Sequence, residues 1–233
     1  MTRIAILGLA AAAATSVALL GCTAKAPGDA ESTPSAGREL SPQEAAAALP
    51  GLADIDQRFD SETDGVPDVD ADRSTYPADC LKLTFGGPTM SAFTRDHRVA
   101  FVGREYSGEG RGTLTLTVSS HDEVVPKTPF DDAGNALGKC ATFSNTAHRT
   151  TSTWSTELIG TPGRGEQSFG TRMTLTKDVP PTSEGTIVDE VRVRQGHNLI
   201  TVSYFVPPSS TPVPGVVDRA VEATVASLER SGD

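Results

Sequence analysis

Val191-Arg192-Val193-Arg194, then Gly196-His197-Asn198, then Leu199-Ile200-Thr201-Val202-Ser203-Tyr204-Phe205-Val206 is the stretch that decides the fold. The run from Thr186 to Arg194 alternates through Val191 and Val193, the period of a strand with one covered face. The glycine-led triplet turns the chain back. Leu199 to Val206 is apolar on both sides, with Leu199 and Phe205 on one and Ile200, Val202 and Tyr204 on the other. A strand without a polar face predicts a central place in a sheet covered on both sides.

Working outward, more strands appear. Thr113-Leu114-Thr115-Leu116-Thr117-Val118 alternates cleanly, so its Leu and Val side chains are predicted buried and its threonines exposed. His97 to Tyr106 is predicted to be its hairpin partner, across the glycine-rich turn Gly108 to Gly112. Cys80 to Phe85 reads as an earlier strand, followed by a turn at Gly86-Gly87-Pro88. Thr151 to Ile159, with the single tryptophan Trp154, and Phe169 to Thr176 add two more, while Asp54 to Asp79 is acidic and irregular. Three helices are predicted. Ser41-Pro42-Gln43-Glu44 is a capping box with proline at the first helical position. Pro129 to Lys139 carries Phe130, Ala133 and Leu137 on one face. Val216 to Leu228 repeats Val217, Ala220, Val221, Val225 and Leu228 at helical spacing. Strand runs punctuated by helices predict an α+β fold, an antiparallel twisted sheet of about six to seven strands with helices packed against it.

The N-terminus predicts location. Met1-Thr2-Arg3 is a short basic start, and Ile4 to Leu20 is an alanine- and leucine-rich apolar segment, as in a secretory signal. Leu19-Leu20-Gly21-Cys22 resembles the lipobox of bacterial lipoproteins. The resemblance implies removal of residues 1–21 and diacylglycerol on Cys22, hence a palmitate-bearing chain at the outer side of the cell membrane. An ordinary signal peptide or an uncleaved anchor is the alternative. Residues 22–39, rich in Ala, Pro, Gly, Ser and Thr, form a tether, and residues 40–233 form a single extracytoplasmic domain. With Cys22 assigned to lipid, Cys80 and Cys140 are an even pair in an oxidising compartment and are predicted to form one disulfide. It would pin the middle helix to the sheet.

Removing residues 1–21, whose one charged side chain is Arg3, takes the formal net charge from −10 to −11. That argues against nucleic acid as a partner, because phosphate contacts need a basic patch. Asp68, Asp70 and Asp72 echo the start of a calcium loop, but Arg73 stands where such a loop needs glycine. His97, His121, His148 and His197 lack metal-ligand spacing. Ser168, in Gly165-Glu166-Gln167-Ser168-Phe169-Gly170, misses the nucleophile-elbow spacing by one residue. No catalytic residue and no cofactor is implied. Trp154, Tyr204 and Phe205 are candidates to line an apolar pocket, with core packing as the alternative.

Several of these features share one layout: the Ser41-Pro42-Gln43-Glu44 helix start, Pro77-Ala78-Asp79-Cys80, a helix ending at Gly138-Lys139-Cys140, the Val191 to Tyr204 hairpin and a C-terminal amphipathic helix. The layout resembles the PknH-like extracellular sensor domain, found outside mycobacterial membrane serine/threonine kinases and in stand-alone lipoproteins. The kinase sensor domain carries two disulfides, where this chain has cysteines for one, and the tryptophan expected before Cys140 is missing. The resemblance implies a cleft between sheet and helix for a small ligand, and no catalytic residues. The expected function is therefore a membrane-anchored, sensor-like ligand-binding lipoprotein. An envelope interaction or assembly lipoprotein, and a hydrolase with a nonstandard site, are the alternatives.

Overall fold

The computed structural model describes residues 37–65, 74–147, 149–178 and 183–230; Cys22, the Asp68/Asp70/Asp72 run and His148 lie outside them. The described strands form one antiparallel sheet of nine: β1 (Ser61–Asp64), β2 (Ser74–Tyr76), β3 (Arg98–Gly108), β4 (Gly112–His121), β5 (Thr142–Ala147), β6 (Thr150–Leu158), β7 (Gln167–Lys177), β8 (Ile187–Gln195) and β9 (Asn198–Val206). Their spatial order is β1-β3-β4-β9-β8-β7-β6-β5-β2. The expectation of six to seven strands is corrected to nine. The unforeseen ones are β1, β2 and β5, which have little apolar periodicity to betray them. β1 is exposed at every position. It is a short edge strand held by backbone pairing to β3.

Side chains alternate between two faces, and each face is covered in a different region. On one face, α1 (Pro42–Ala47) packs on β3 and β4, α5 (Val216–Arg230) on β8 and β9, and α2 (Leu52–Ile55) on α5. Leu114, Leu116, Val118, Val191, Val193, Ile200 and Val202 are fully buried there. The capping box of α1 is present: Glu44 N–H donates to Ser41 Oγ at 3.3 Å and Ser41 N–H donates to Glu44 Oε2 at 2.8 Å. α5 buries Val217, Ala220, Val221, Val225 and Leu228, the predicted stripe. Arg219 ties α5 to the end of α2, donating to Ile55 O at 3.0 Å and pairing with Asp56 at 2.5 Å.

The opposite face is covered by a 3₁₀ helix (Ala78–Thr84), α3 (Pro88–His97) and α4 (Thr128–Leu137). Two sequence expectations are corrected here. Cys80 to Phe85 is helical and not a strand. Leu81, Leu83 and Phe85 mimic a two-residue period, yet Cys80 and Leu83 are the side chains the helix buries, three apart. The chain after Gly86-Gly87 does not simply turn; it enters α3 with Gly87 as N-cap and Pro88 at the helix start. The Cys80–Cys140 disulfide is present. It joins the 3₁₀ helix to the exit of α4, so it links helix to helix and not helix to sheet. β9 is central, fourth of nine, but only partly covered on its second face. Leu199 is buried among the disulfide-side residues, whereas Phe205 is 44% exposed.

Candidate functional site

On the disulfide face an open hollow lies between Phe85 and α3. Phe85 caps the 3₁₀ helix in the left-handed conformation, at φ 55°, with its N–H donating to Lys82 O at 3.1 Å. That conformation is uncommon for a residue with a Cβ, and the ring's packing is what it secures. Phe85 meets Phe130 of α4 edge-on, with ring centres 4.6 Å apart, and Phe169 of β7 at 6.2 Å. Cys80, in the same 3₁₀ helix, is tied to α4 by the disulfide. The bond therefore fixes the segment that presents Phe85.

α3 forms the facing wall. Met90 is its buried residue. Farther along, the Phe93 ring lies 5.0 Å from the ring of His97 and 4.9 Å from that of His121. His121 is fully buried, its Nδ1 3.1 Å from His197 O and its Nε2 3.3 Å from Ser119 Oγ. A carbonyl only accepts, so Nδ1 carries the proton and Nε2 accepts from the serine. Burial pushes the His121 pKa down, which keeps the ring neutral. His197 donates in return from Nδ1 to His121 O at 2.9 Å.

Between these walls lies a cleft of about 460 Å³, lined by Phe85, Met90, Ser91, Thr94, Arg95 and Arg98. The volume falls within the range of small-molecule sites. Arg95 is paired with Asp96 at 2.8 Å. Arg98 stacks its guanidinium 4.6 Å over the Phe101 ring and has no carboxylate within ion-pair distance among the described residues. A third guanidinium, of Arg192 on β8, lies 4.6 Å over the ring of Phe85. Arg192 contacts Glu190 at 2.8 Å, and both side chains are only 13% exposed. The contact is ionic without hydrogen-bond alignment: Glu190 Oε1 and Arg192 Nε are buried atoms lacking a hydrogen-bond partner, as are Thr171 Oγ1 and Thr156 Oγ1. Register places Glu190 opposite Thr171 and Arg192 opposite Phe169, so the group shares one sheet face. Unsatisfied buried polar atoms are scarce in folded proteins, and these four lie on one face of the sheet.

Trp154, Tyr204 and Phe205 do not come together in one pocket. Tyr204 is buried on the α5 face, its hydroxyl donating to Arg111 O and accepting from Val213 N–H at 2.9 Å. Phe205, the next residue along the strand, lies on the opposite face. Trp154 is half-buried against the disulfide-side core, with Nε1 donating to Ser152 Oγ at 2.9 Å. Ser168 lies in β7, its hydroxyl 2.8 Å from that of Thr161. Gly108 to Gly112 is the tight turn of the β3–β4 hairpin. Among the described residues no three His, Cys, Asp or Glu side chains are grouped to hold a metal ion. Sequence reasoning missed Phe85, Met90, Arg98 and Arg192 as neighbours. One local signal was present: Gly87-Pro88 is an N-cap and first-turn pair and could have revealed α3.

Comparison with known proteins bears on the fold. No protein-family model and no curated protein matches the chain. Among solved structures, the extracellular domain of PknH from Mycobacterium tuberculosis matches with a TM-score of 0.61 at 12% identity, covering 83% of this chain and 99% of that one. A Mycobacterium smegmatis protein described as the Rv0999 ortholog matches with a TM-score of 0.47 at 13% identity, again covering 83% and 99%. The described domain is thus similar in fold to the extracellular domain of PknH, as the sequence layout implied.

Proposed function

We propose that this chain is a membrane-anchored, extracytoplasmic binding domain of sensor type. Lipid on Cys22 holds it, residues 22–39 tether it, and the cleft between Phe85 and α3 receives a small ligand. The observation that carries the reading is the cleft itself. It combines Arg98, which lies over the Phe101 ring and has no carboxylate partner among the described residues, with a nearby group of buried, unsatisfied polar atoms. Likeness in fold to a kinase extracellular domain supports an extracytoplasmic role. No helix among the described residues is long and apolar enough to cross a membrane; the reading assigns attachment to Cys22 on the lipobox resemblance of Leu19-Leu20-Gly21-Cys22. Two or more acyl chains, at about 0.8 kcal/mol per buried methylene, suffice for stable anchoring.

Native mass spectrometry of residues 23–233, secreted without lipid, tests the binding role. The expected result is a stoichiometric extra mass lost on denaturation. A bare protein in repeated preparations would favour the second reading, an envelope interaction lipoprotein, for which the exposed Val99, Phe101 and Phe205 are the supporting observation. Anchoring is tested separately by membrane fractionation. Cys22→Ser protein is expected in the soluble fraction, and its retention on the membrane would remove the lipid anchor from the account.

A further inference from the structure

We infer that the cleft under α3 selects an amphipathic anion, a carboxylate or phosphate head carrying a short apolar chain. The inference rests on the ligand-binding reading of the same cleft and adds the chemistry of the ligand. Charge is the first argument. The chain carries a formal net charge of −10, yet among the described residues the lining holds two guanidinium groups and no carboxylate. Arg95 is engaged with Asp96 through two hydrogen bonds, of 2.8 and 3.0 Å. Arg98 is not so engaged. Its guanidinium carbon lies 4.6 Å from the centre of the Phe101 ring, and a guanidinium's fork of N–H donors suits a two-point contact with a carboxylate or phosphate. Ser91 and Thr94 lie three residues apart on α3, the spacing that puts two side chains on one helix face, and both line the cleft with hydroxyl donors.

The apolar part of the ligand is argued from the other end of the cleft. Phe85 and Met90 line it, and the same two side chains also line a second hollow of about 130 Å³ with Pro88 and Pro129, whose charged lining residues Lys82 and Asp132 pair with each other at 3.8 Å. A ring and a flexible thioether are thus shared by two adjoining spaces. Methionine repacks readily around an apolar guest, so a chain can lie along Phe85 and Met90 while its head meets Arg98. A free amphiphile fits better than an anionic membrane surface, because the acidic chain as a whole is repelled by such a surface.

The test uses residues 33–233, which contain both cores and the disulfide. Calorimetric titration compares decanoate, decyl maltoside and decyltrimethylammonium, all below their micelle concentrations. Decanoate is expected to bind saturably at one site, at least about tenfold tighter than the neutral probe, with no binding of the cation; a tenfold ratio corresponds to about 1.4 kcal/mol. Arg98→Gln should weaken decanoate about tenfold, Arg98→Lys should restore part of the loss, and Arg230→Gln, at the end of α5, should change nothing. Unaltered thermal melting of each variant shows that the fold is intact. Equal binding of neutral and anionic probes, or indifference to Arg98→Gln, overturns the anionic head while leaving a ligand cleft. Absence of binding by all three probes overturns the inference; a copurified neutral molecule seen by native mass spectrometry would then preserve the ligand-binding reading alone. Capture by phosphatidylglycerol vesicles without decanoate binding overturns it in favour of a membrane-surface contact.

Discussion

The two faces of the sheet are built by opposite rules. Under α1, α2 and α5 the core is close to continuous aliphatic packing, and the buried Thr224 and Tyr204 there are hydrogen-bonded. Thr224 returns its hydroxyl to Ala220 O at 2.7 Å, and Tyr204 is satisfied at both donor and acceptor. Under the 3₁₀ helix, α3 and α4 the core is smaller, aromatic and interrupted. It needs a disulfide, it buries a neutral histidine and an Arg–Glu pair, and it leaves polar atoms without partners. The first face uses its residues for stability. Hollows open beside both sets of helices, about 390 Å³ between α1, α2 and α5 and about 460 Å³ beside α3; the second is bordered by Phe85, whose ring carries the Arg192 guanidinium, and it is there that the proposed ligand site is placed. Each prediction below separates the two faces.

The largest effect belongs to the disulfide. The bridge spans a sequence separation of 60 residues. Closure of a loop that long contributes about 4 kcal/mol in the chain-entropy treatment. Cys80→Ser with Cys140→Ser is therefore expected to lower the urea midpoint sharply and to abolish probe binding, since Phe85 loses its support. An unmoved midpoint would mean that the 3₁₀ helix is held without the bond.

Next in size is Leu116→Ala on the α5 face. Leu116 is fully buried in the aliphatic core, and truncation there is expected to cost about 3 kcal/mol. Binding of decanoate by the folded fraction should not change. A variant that kept its stability but lost binding would reverse the assignment of the two faces.

The smallest effect is in pH dependence. The His121 pKa in the fold lies below its ordinary value because burial disfavours the cation. As pH falls through about 6.5, the unfolded chain takes up a proton that the folded ring resists, so stability declines from that point toward the lower folded pKa. On the α5 face the corresponding group is Glu44, held at about 2 chiefly by its contact with Arg38, then by Ser41. Its contribution is present above the ordinary carboxylate value and is lost only as pH falls through the acid range. Between pH 7 and 5.5 the urea midpoint should thus fall in the parent chain and stay flatter in His121→Asn. Parallel profiles for the two would remove His121 as the cause.

The same contrast governs what was legible in the sequence. The α5 face announces itself. Ser41 and Glu44 name the cap of α1, Leu114, Leu116 and Val118 name the buried side of β4, and Val217 to Leu228 spell out α5. These are local periodicities, and local packing obeys them. The disulfide face speaks less plainly. The 3₁₀ helix buries Cys80 and Leu83, three apart, but Leu81, Leu83 and Phe85 imitate a strand. α3 buries only Met90, so its helical stripe is thin. β5 offers one buried residue, Phe143, to mark it. The pairing of Cys80 with Cys140 was readable by counting cysteines. The meeting of Arg98, Phe85 and Arg192 was not, because residues at the start of β3, at a helix end and on the distant strand β8 converge only through the sheet topology.

One measurement compares the faces directly. Amide chemical shifts of residues 33–233, recorded while decanoate is titrated in, report every described backbone N–H at once. The account predicts saturable shifts confined to Phe85, Met90 to Arg98 and the Arg192 region, with α1 and α5 silent. Shifts centred on α1 or α5, or spread evenly over both faces, would contradict it.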